Sequence, residues 1–531
     1  MGMIYFLTDW HIDRDNFESD AMLNTIKVLK HSNSQIINLQ SAPFMHYLVN
    51  YFGLQSQNSF SDLLDVFLDV PSKNTTPTTL TDLKWLSKYE KYYTNKDVTF
   101  SNNGVVKGRV YFNQWGFVSQ VEYISSNSRE IDIYSHKGYV SSKNFYDAQG
   151  EKIKWQVYDE QGQVIFTEYP DCVIIAEAYD QKFSRDIYTN YGDLFLEMLS
   201  SVLSDFNPRT DRLIIDAKSP YVSEFLSIFP YLQSLVLIYS GQVNEFQAQL
   251  SEHFSVIKNV KQIMTDNVVL IDSIKQESSR QHQHVMKNVS YMPFYATSLN
   301  LGESNSTADQ NIYWQINCLN KLQQESLAKL IAMKLEIPEL CVIVDSGSAS
   351  DQNVLNQIVS NFVSQYFEIN LASDDYQLVK QYHEAQEAEE MTPMLREAYS
   401  NAKKDRAIFA QYIKAYLFKK GFSFRFDSNK QEKVMDFNIT RVLVDSRDDN
   451  DYFSHALAVS AGIPIVSFQQ SPYLINEKNG YIVQDSKQLI QTILQYVSDT
   501  DTWNQNLVAS VDVIEMFGED ELSKKWREKL V

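Results

Sequence analysis

Residues Val442 to Val483, reading VLVDSRDDNDYFSHALAVSAGIPIVSFQQSPYLINEKNGYIV, constrain the fold more than any other stretch of the chain. The order is an apolar strand, an acidic turn, a helix, a Gly462-Ile463-Pro464 stop, a second strand, a loop, and Asn479-Gly480 before a last strand. Glycine and proline end the helix because one tolerates the left-handed cap and the other cannot continue it. Strands joined through a helix run parallel, so this part of the chain must build a parallel sheet with crossover helices on its faces.

The same alternation opens the chain. Ile4 to Leu7 reads as a strand, Glu18 to Lys30 as an amphipathic helix, Gln35 to Leu39 as a strand and Pro43 to Phe52 as a helix. The alternation does not continue beyond that helix, and after the Ser/Thr/Pro-rich segment Ser72 to Thr81 the texture changes. From about Val98 to Phe166 the texture is β-rich and repetitive. Asn103-Gly104, Trp115-Gly116, Lys137-Gly138, Gln149-Gly150 and Gln161-Gly162 punctuate runs of period two such as Val118 to Tyr123. Turn glycines at that spacing predict an antiparallel meander inserted into the first α/β unit. Its aromatics, among them Trp115, Phe117, Tyr139 and Tyr146, are expected mostly in the core. The α/β texture resumes at Arg212 to Asp216 and Leu235 to Tyr239, with Asn267 to Ile271 as a further buried strand.

A Gly/Ser/Asn-rich crossing at Leu301 to Thr307 reads as the linker to a second α/β unit. That unit starts with a strand at Asn311 to Asn317, a helix at Gln324 to Leu335 and a strand at Leu340 to Asp345. The predicted division is a discontinuous Rossmann-like domain over 1–85 and 175–300, an inserted β-meander over 90–172, and a second Rossmann-like domain over 308–531. A charged helical stretch near 384–410, interrupted by Pro393, reads as a solvated helix face, with a partner-docking arm as the other reading.

Composition narrows the function. A formal net charge of -20 opposes nucleic-acid binding, which requires a basic surface. Simple adsorption to anionic lipid is opposed for the same reason. Cys172, Cys318 and Cys341 stand far apart, so reduced core thiols and a cytoplasmic protein are expected. The N-terminal segment has no basic region and too short an apolar run for a signal peptide.

The Val442–Val483 order is similar to the nucleotide-sugar half of the two-Rossmann-domain (GT-B) glycosyltransferases. Met3-Ile4-Tyr5-Phe6 looks like the first strand of one GT-B-like family, the accessory secretory protein 1 family of the bacterial accessory Sec export system. The phrase from His136 to Ser142, followed by Tyr146-Asp147-Ala148-Gln149-Gly150, resembles that family's β-insert. The family often has Asp-x-Arg-Gly-Phe-x-Ser there, and Ser135 and Lys137 depart from its Asp and Arg. The likeness covers essentially the whole chain through diffuse motifs. It implies a non-catalytic component of accessory Sec export. The partners it implies are two companion accessory secretory proteins, the accessory Sec motor ATPase and a glycosylated serine-rich repeat adhesin, with peripheral contact at the inner face of the membrane. The alternative is a glycosyltransferase, or the acceptor-binding subunit of a two-chain N-acetylglucosaminyltransferase, which shares the architecture.

Residue chemistry separates these. Active retaining enzymes of the class place Glu-x7-Glu ahead of the helix stop, the second Glu accepting both ribose hydroxyls. Counting back from Gly462-Ile463-Pro464 puts Asp449 first and Leu457 second. Leucine has no acceptor atom, so a ribose there would lose charged hydrogen bonds of roughly 1.5–3 kcal/mol each. After the strand at Ile312 to Ile316 the chain reads Asn317-Cys318-Leu319-Asn320-Lys321-Leu322, with one cation and no glycine for a diphosphate. Phe468-Gln469-Gln470-Ser471-Pro472 replaces the glycine turn that would let a donor approach. Sugar-nucleotide transfer is therefore not expected, nor is any catalytic residue, cofactor or metal. Asp449, Ser454, His455, Gln470 and Ser471 are expected to ring the interdomain cleft, either as carbohydrate contacts or as loop polars satisfied by water. His11, beside Asp9 and Asp13, lies at the mouth of the first strand and reads more simply as a loop feature. Gln281 to His284 offers two histidines, short of the three or four ligands a metal needs.

Overall fold

The computed structural model describes residues 2–11, 17–54, 59–69, 76–241, 245, 254–273, 288–405, 409–449 and 451–531. Asp13 and the Gln281–His284 pair lie outside these residues. Among the described residues the chain forms three sheets.

The first is a seven-stranded parallel sheet. In spatial order its strands are Val289–Tyr291, Gln262–Thr265, Leu235–Tyr239, Arg212–Asp216, Ile4–Thr8, Ser34–Asn38 and Ser59–Asp62. Leu213 to Ile215 and all of Leu235–Tyr239 are buried, as unbroken apolar runs in the middle of a parallel sheet should be. Two sequence expectations are corrected here. The alternation continues past the second strand, since Ser59–Asp62 pairs in parallel with Gln35 to Asn38 before the short helix Leu63–Phe67. SFSD is an edge strand with a single large apolar residue, so no periodicity announces it. Asn267 to Ile271 is not a strand: the chain enters a helix over 268–273. Asn267 Oδ1 accepts from the Leu270 amide at 3.1 Å, a helix cap that outcompetes the β-propensity of Val268 and Val269, both exposed.

The insert is a ten-stranded antiparallel meander in which each strand pairs with the next, from Glu90–Tyr93 to Ile187–Tyr188. Five of its hairpin tips fall at the turn glycines Gly104, Gly116, Gly138, Gly150 and Gly162. At Gly138, φ is +84° and an added Cβ would lie 2.4 Å from the Thr76 carbonyl oxygen, so glycine is required both for the turn and for close docking. Early strands pack Val98, Phe100, Val110 and Val121 under Leu83 and Leu86, and late strands pack Phe166, Val173 and Tyr188 against Leu194 and Phe195. Trp115, Phe117, Tyr139 and Tyr146 are half-buried rather than core. Trp115 and Phe117 lie 5.6 and 6.0 Å from the ring of Tyr47, on the first α/β unit. His46 stacks on His136 at 5.1 Å beside them. Lys137, with its side chain 7% exposed, reaches Asp65 at 3.3 Å and Glu160 at 3.6 Å. The departure from arginine at this position therefore keeps its cation and uses it to fasten the insert.

The second parallel sheet has the order Phe422–Phe426, Leu340–Ser346, Gln310–Ile316, Thr440–Asp445, Ile465–Ser467, Gly480–Ile482. The charged stretch near 384–410 resolves into parts of the helices Asp374–Glu387, Pro393–Asp405 and Phe409–Lys420. Cys318 is exposed in the turn after the strand Gln310–Ile316, rather than in the core, and all three cysteines are unpaired.

The crossing between halves is pinned rather than loose. Asn300 and Gly302 amides donate to Ser460 and Ala461 carbonyls, and the Glu303 amide to Asn438. Tyr473, fully buried, donates its hydroxyl to the Tyr295 carbonyl at 2.6 Å and accepts from the Tyr295 amide at 3.2 Å. The Tyr295 hydroxyl in turn donates to the Ser19 carbonyl at 2.9 Å. The last helix, Glu519–Leu530, returns to the first half, where buried Arg212 donates to the Leu530 carbonyl at 2.6 Å. One apolar core, including Met22, Tyr295, Phe453, Tyr473, Phe517 and Trp526, runs through both halves. Among the described residues no helix is long and apolar enough to cross a membrane.

Candidate functional site

A cleft of about 590 Å³ opens where the carboxyl ends of the two parallel sheets face each other. Open parallel sheets bind ligands there, because adjacent strands feed their crossovers to opposite faces and leave a crevice. The first half contributes Asp216 and Lys218 after one strand, Ser240 and Gly241 after the next, Asn267 after a third, and Glu18 to Ala21. The second half contributes Asp427 and Ser428, Lys430 and Lys433 on the helix Lys430–Ile439, Arg447 to Asp449 and Asp451 in the acidic turn, and Gln469. Seven carboxyl side chains face four cations among the described lining residues.

The wall at the second half is a closed set of ion pairs. Asp445, fully buried at its strand end, accepts from the Arg447 amide at 3.1 Å, Arg447 Nε at 3.3 Å and the Asp451 amide at 3.0 Å. His455 Nε2 lies 3.0 Å from Oδ2, the oxygen that also accepts from the Asp451 amide. Burial alone would raise this carboxyl, but Arg447, His455 and the backbone donor hold it down at about 2. Asp451 accepts from Lys433 Nζ at 2.7 Å and lies 3.3 Å from Arg447 Nη2. Burial lowers Lys433 to about 8, helped by Arg447 and opposed by Asp345, Asp427 and Asp445. Across the cleft, burial raises Asp216 to about 7.

The five residues expected to ring the cleft separate into different places. Asp449 is exposed on the lining and accepts from Asn317 Nδ2 at 3.3 Å. Gln470 is exposed on its loop, where its neighbour Gln469 is the lining residue. Ser454, His455 and Ser471 lie behind the wall, buried to 0%, 0% and 9% exposure, and cannot reach a ligand as placed. The physical reason is that each is consumed by a structural bond. Ser454 accepts from Gln315 Nε2 at 3.1 Å and donates to Asp451. His455 bridges Asp445 to Ser471 Oγ, the latter 2.7 Å from Nδ1. This Asp-His-Ser chain ties the helix Tyr452–Ser460 to its strand and to the loop after Ser467, and with no exposed member it has no access for a substrate. Leu457 is partly buried against the core shared by the two halves. Exposed His11 is outside the lining residues.

Lys433, Arg447, Asp451, Asp216 and Lys218 were the residues that sequence reasoning missed. The cation deficit inferred after Ile316 is made up from elsewhere, because Lys433 and Arg447 arrive from two other segments. Arg447 within the acidic DSRDDND turn was the one available signal, a lone cation among carboxylates that must pair with some of them.

Comparison with known proteins gives consistent likenesses. The family model of the accessory Sec system protein, accessory secretory protein 1, matches residues 5–531. The corresponding accessory Sec system protein of Streptococcus gordonii is 21% identical over 98% of this chain and 94% of its own. The crystal structure of accessory secretory proteins 1, 2 and 3 in Streptococcus pneumoniae is similar at TM-score 0.73 and 18% identity, over 99% of both chains. The pneumococcal O-GlcNAc transferase GtfA, crystallised with UDP and GlcNAc, is similar at TM-score 0.66 and 13% identity, over 99% of this chain and 98% of its own.

Proposed function

This chain belongs to the accessory secretory protein 1 family of the accessory Sec system, and on that premise we propose that it serves accessory Sec export as a binding component without transferase chemistry. The observation that carries the reading is the state of the cleft. Lys433 and Arg447, the cations best placed for a diphosphate, are already neutralised by Asp451 and Asp445. The position that would grip a donor's ribose is Leu457, turned to the shared core. An acid-lined cleft repels a nucleotide diphosphate and suits a neutral, hydroxyl-rich ligand, since carboxylates accept sugar hydroxyls without needing a counter-charge. The ligand proposed is the glycan of a serine-rich repeat adhesin, with Asp449 as its first contact and Gln470 beside the rim.

We take the chain's working units to be two α/β halves and an insert, a division that the three separate sheets support. The insert's outer surface is the proposed seat for a companion protein. Support comes from the pneumococcal relative, which was crystallised with accessory secretory proteins 2 and 3. The motor ATPase of the same system and the inner face of the membrane complete the proposed setting. The glycosyltransferase reading draws on the shared fold of GtfA, a likeness that speaks to architecture alone. The test is capture of an N-acetylglucosaminylated Ser-rich peptide by wild type and by Asp449→Ala. Wild type should bind the glycosylated and not the bare peptide, and the variant should bind it more weakly. Equal binding of both peptides, or no binding, would remove the glycan from the account.

A further inference from the structure

Four hydrogen-bond donors and the ion-paired guanidinium of Arg447 converge on the carboxylate of Asp451. Lys433 Nζ is 2.7 Å away, Arg447 Nη2 3.3 Å, Gln315 Nε2 3.4 Å and the Ser454 amide 3.0 Å, and the Ser454 hydroxyl also donates. The two cations have side chains only 8% and 20% exposed, and Asp451 only 14%. They come from three segments: the end of the strand Gln310–Ile316, the helix Lys430–Ile439, and the turn that opens the helix Tyr452–Ser460. The first and fourth strands of this sheet, Gln310–Ile316 and Thr440–Asp445, are neighbours, which makes this its topological switch point. Two partly desolvated cations, an amide, a hydroxyl and the first turn of a helix form a donor set suited to an oxyanion. The chain supplies that oxyanion itself.

We propose that Asp451 is a built-in counter-anion, holding the seat that a phosphate-bearing ligand would otherwise take, and that it is the residue that denies this cleft a nucleotide. The inference rests on the reading that the wild-type cleft binds no nucleotide donor, and it adds the cause. Asp445 does not do the same work: it lies deeper, holds Arg447 through Nε and the backbone, and pairs with His455. Asp448 and Asp449 are exposed at the rim. Asp451 alone bonds Lys433 directly among the described acids.

Asp451→Asn tests this, because asparagine keeps a side-chain cap for the Ser454 amide while removing the charge. Wild type, Asp451→Asn, Asp451→Ser (a second capping variant) and Asp451→Asn combined with Lys433→Met are titrated calorimetrically with inorganic pyrophosphate and with UDP. The expected result is at least about tenfold tighter pyrophosphate binding in both single variants, abolished when Lys433→Met is added. Folded single variants that bind pyrophosphate no better than wild type would overturn the proposal while leaving the reading of the cleft intact. A gain that survives Lys433→Met would also overturn it, since the anion would then sit elsewhere. UDP binding by wild type would overturn the reading itself.

Discussion

Tyr473→Phe isolates the brace between the halves. The Tyr473 hydroxyl is the only atom removed, and it bonds both the carbonyl and the amide of Tyr295, a residue 6% exposed. Neither backbone group gains a replacement partner when the ring stays in place. Each buried polar group left unpaired costs about 1–3 kcal/mol, so the two together predict a loss of roughly 2–6 kcal/mol, reduced a little by no longer burying the hydroxyl. Because the lost bonds cross between halves, the effect should concentrate there. Hydrogen exchange read by mass spectrometry is the suitable assay, with peptides spanning Tyr295 compared with peptides from the insert. The Tyr295 amide should exchange more than about tenfold faster in the variant, since 1.4 kcal/mol already corresponds to tenfold. Insert peptides should not change, and a urea midpoint should fall. Unchanged exchange at Tyr295 would refute the claim that this hydroxyl holds the halves in register.

Three further outcomes follow from the same geometry. Lys137→Met removes a nearly buried cation from between Asp65 and Glu160, and should destabilise the docking of the insert by roughly 1–3 kcal/mol, less than a fully buried pair because the carboxylates are partly exposed; faster exchange confined to the insert junction is the readout. His136 is lowered to about 4 by burial, then by His46 and Lys137, and His46 is lowered by burial and Lys137. Histidines kept neutral when folded contribute stability that is full above the ordinary value near 6.5 and is lost as pH falls towards 4, because the unfolded chain takes up protons first; tryptophan emission from Trp115 during urea melts at pH 7 and pH 5 should show the lower midpoint at pH 5. Leu457→Glu should not create UDP binding, since its side chain packs into the shared core, and should destabilise the protein measurably by circular dichroism melts.

The sequence made the architecture legible where physical chemistry repeats itself. Unbroken apolar runs such as Leu235 to Tyr239 marked central parallel strands, and glycines at hairpin tips marked the meander. Ser59–Asp62 was hidden because an edge strand needs little apolar surface. Asn267 to Ile271 misled because a side-chain cap, invisible to hydrophobic pattern, started a helix. The site was harder. Ser454, His455 and Ser471 have the residue types of a binding rim, but side-chain direction and burial decided otherwise, and both depend on which neighbour each polar atom finds. Lys433 and Arg447 came together from segments adjacent only in space, so no spacing along the chain could announce their pairing with Asp451.

The most direct measurement is calorimetric titration of the purified wild-type chain with UDP-N-acetylglucosamine, alongside an N-acetylglucosaminylated Ser-rich peptide. The account predicts heat from the glycopeptide and none from the nucleotide sugar. Micromolar binding of the nucleotide sugar would contradict it, because Lys433 and Arg447 would then have to release Asp451 and Asp445 for a donor, and the chain would return to the enzymes.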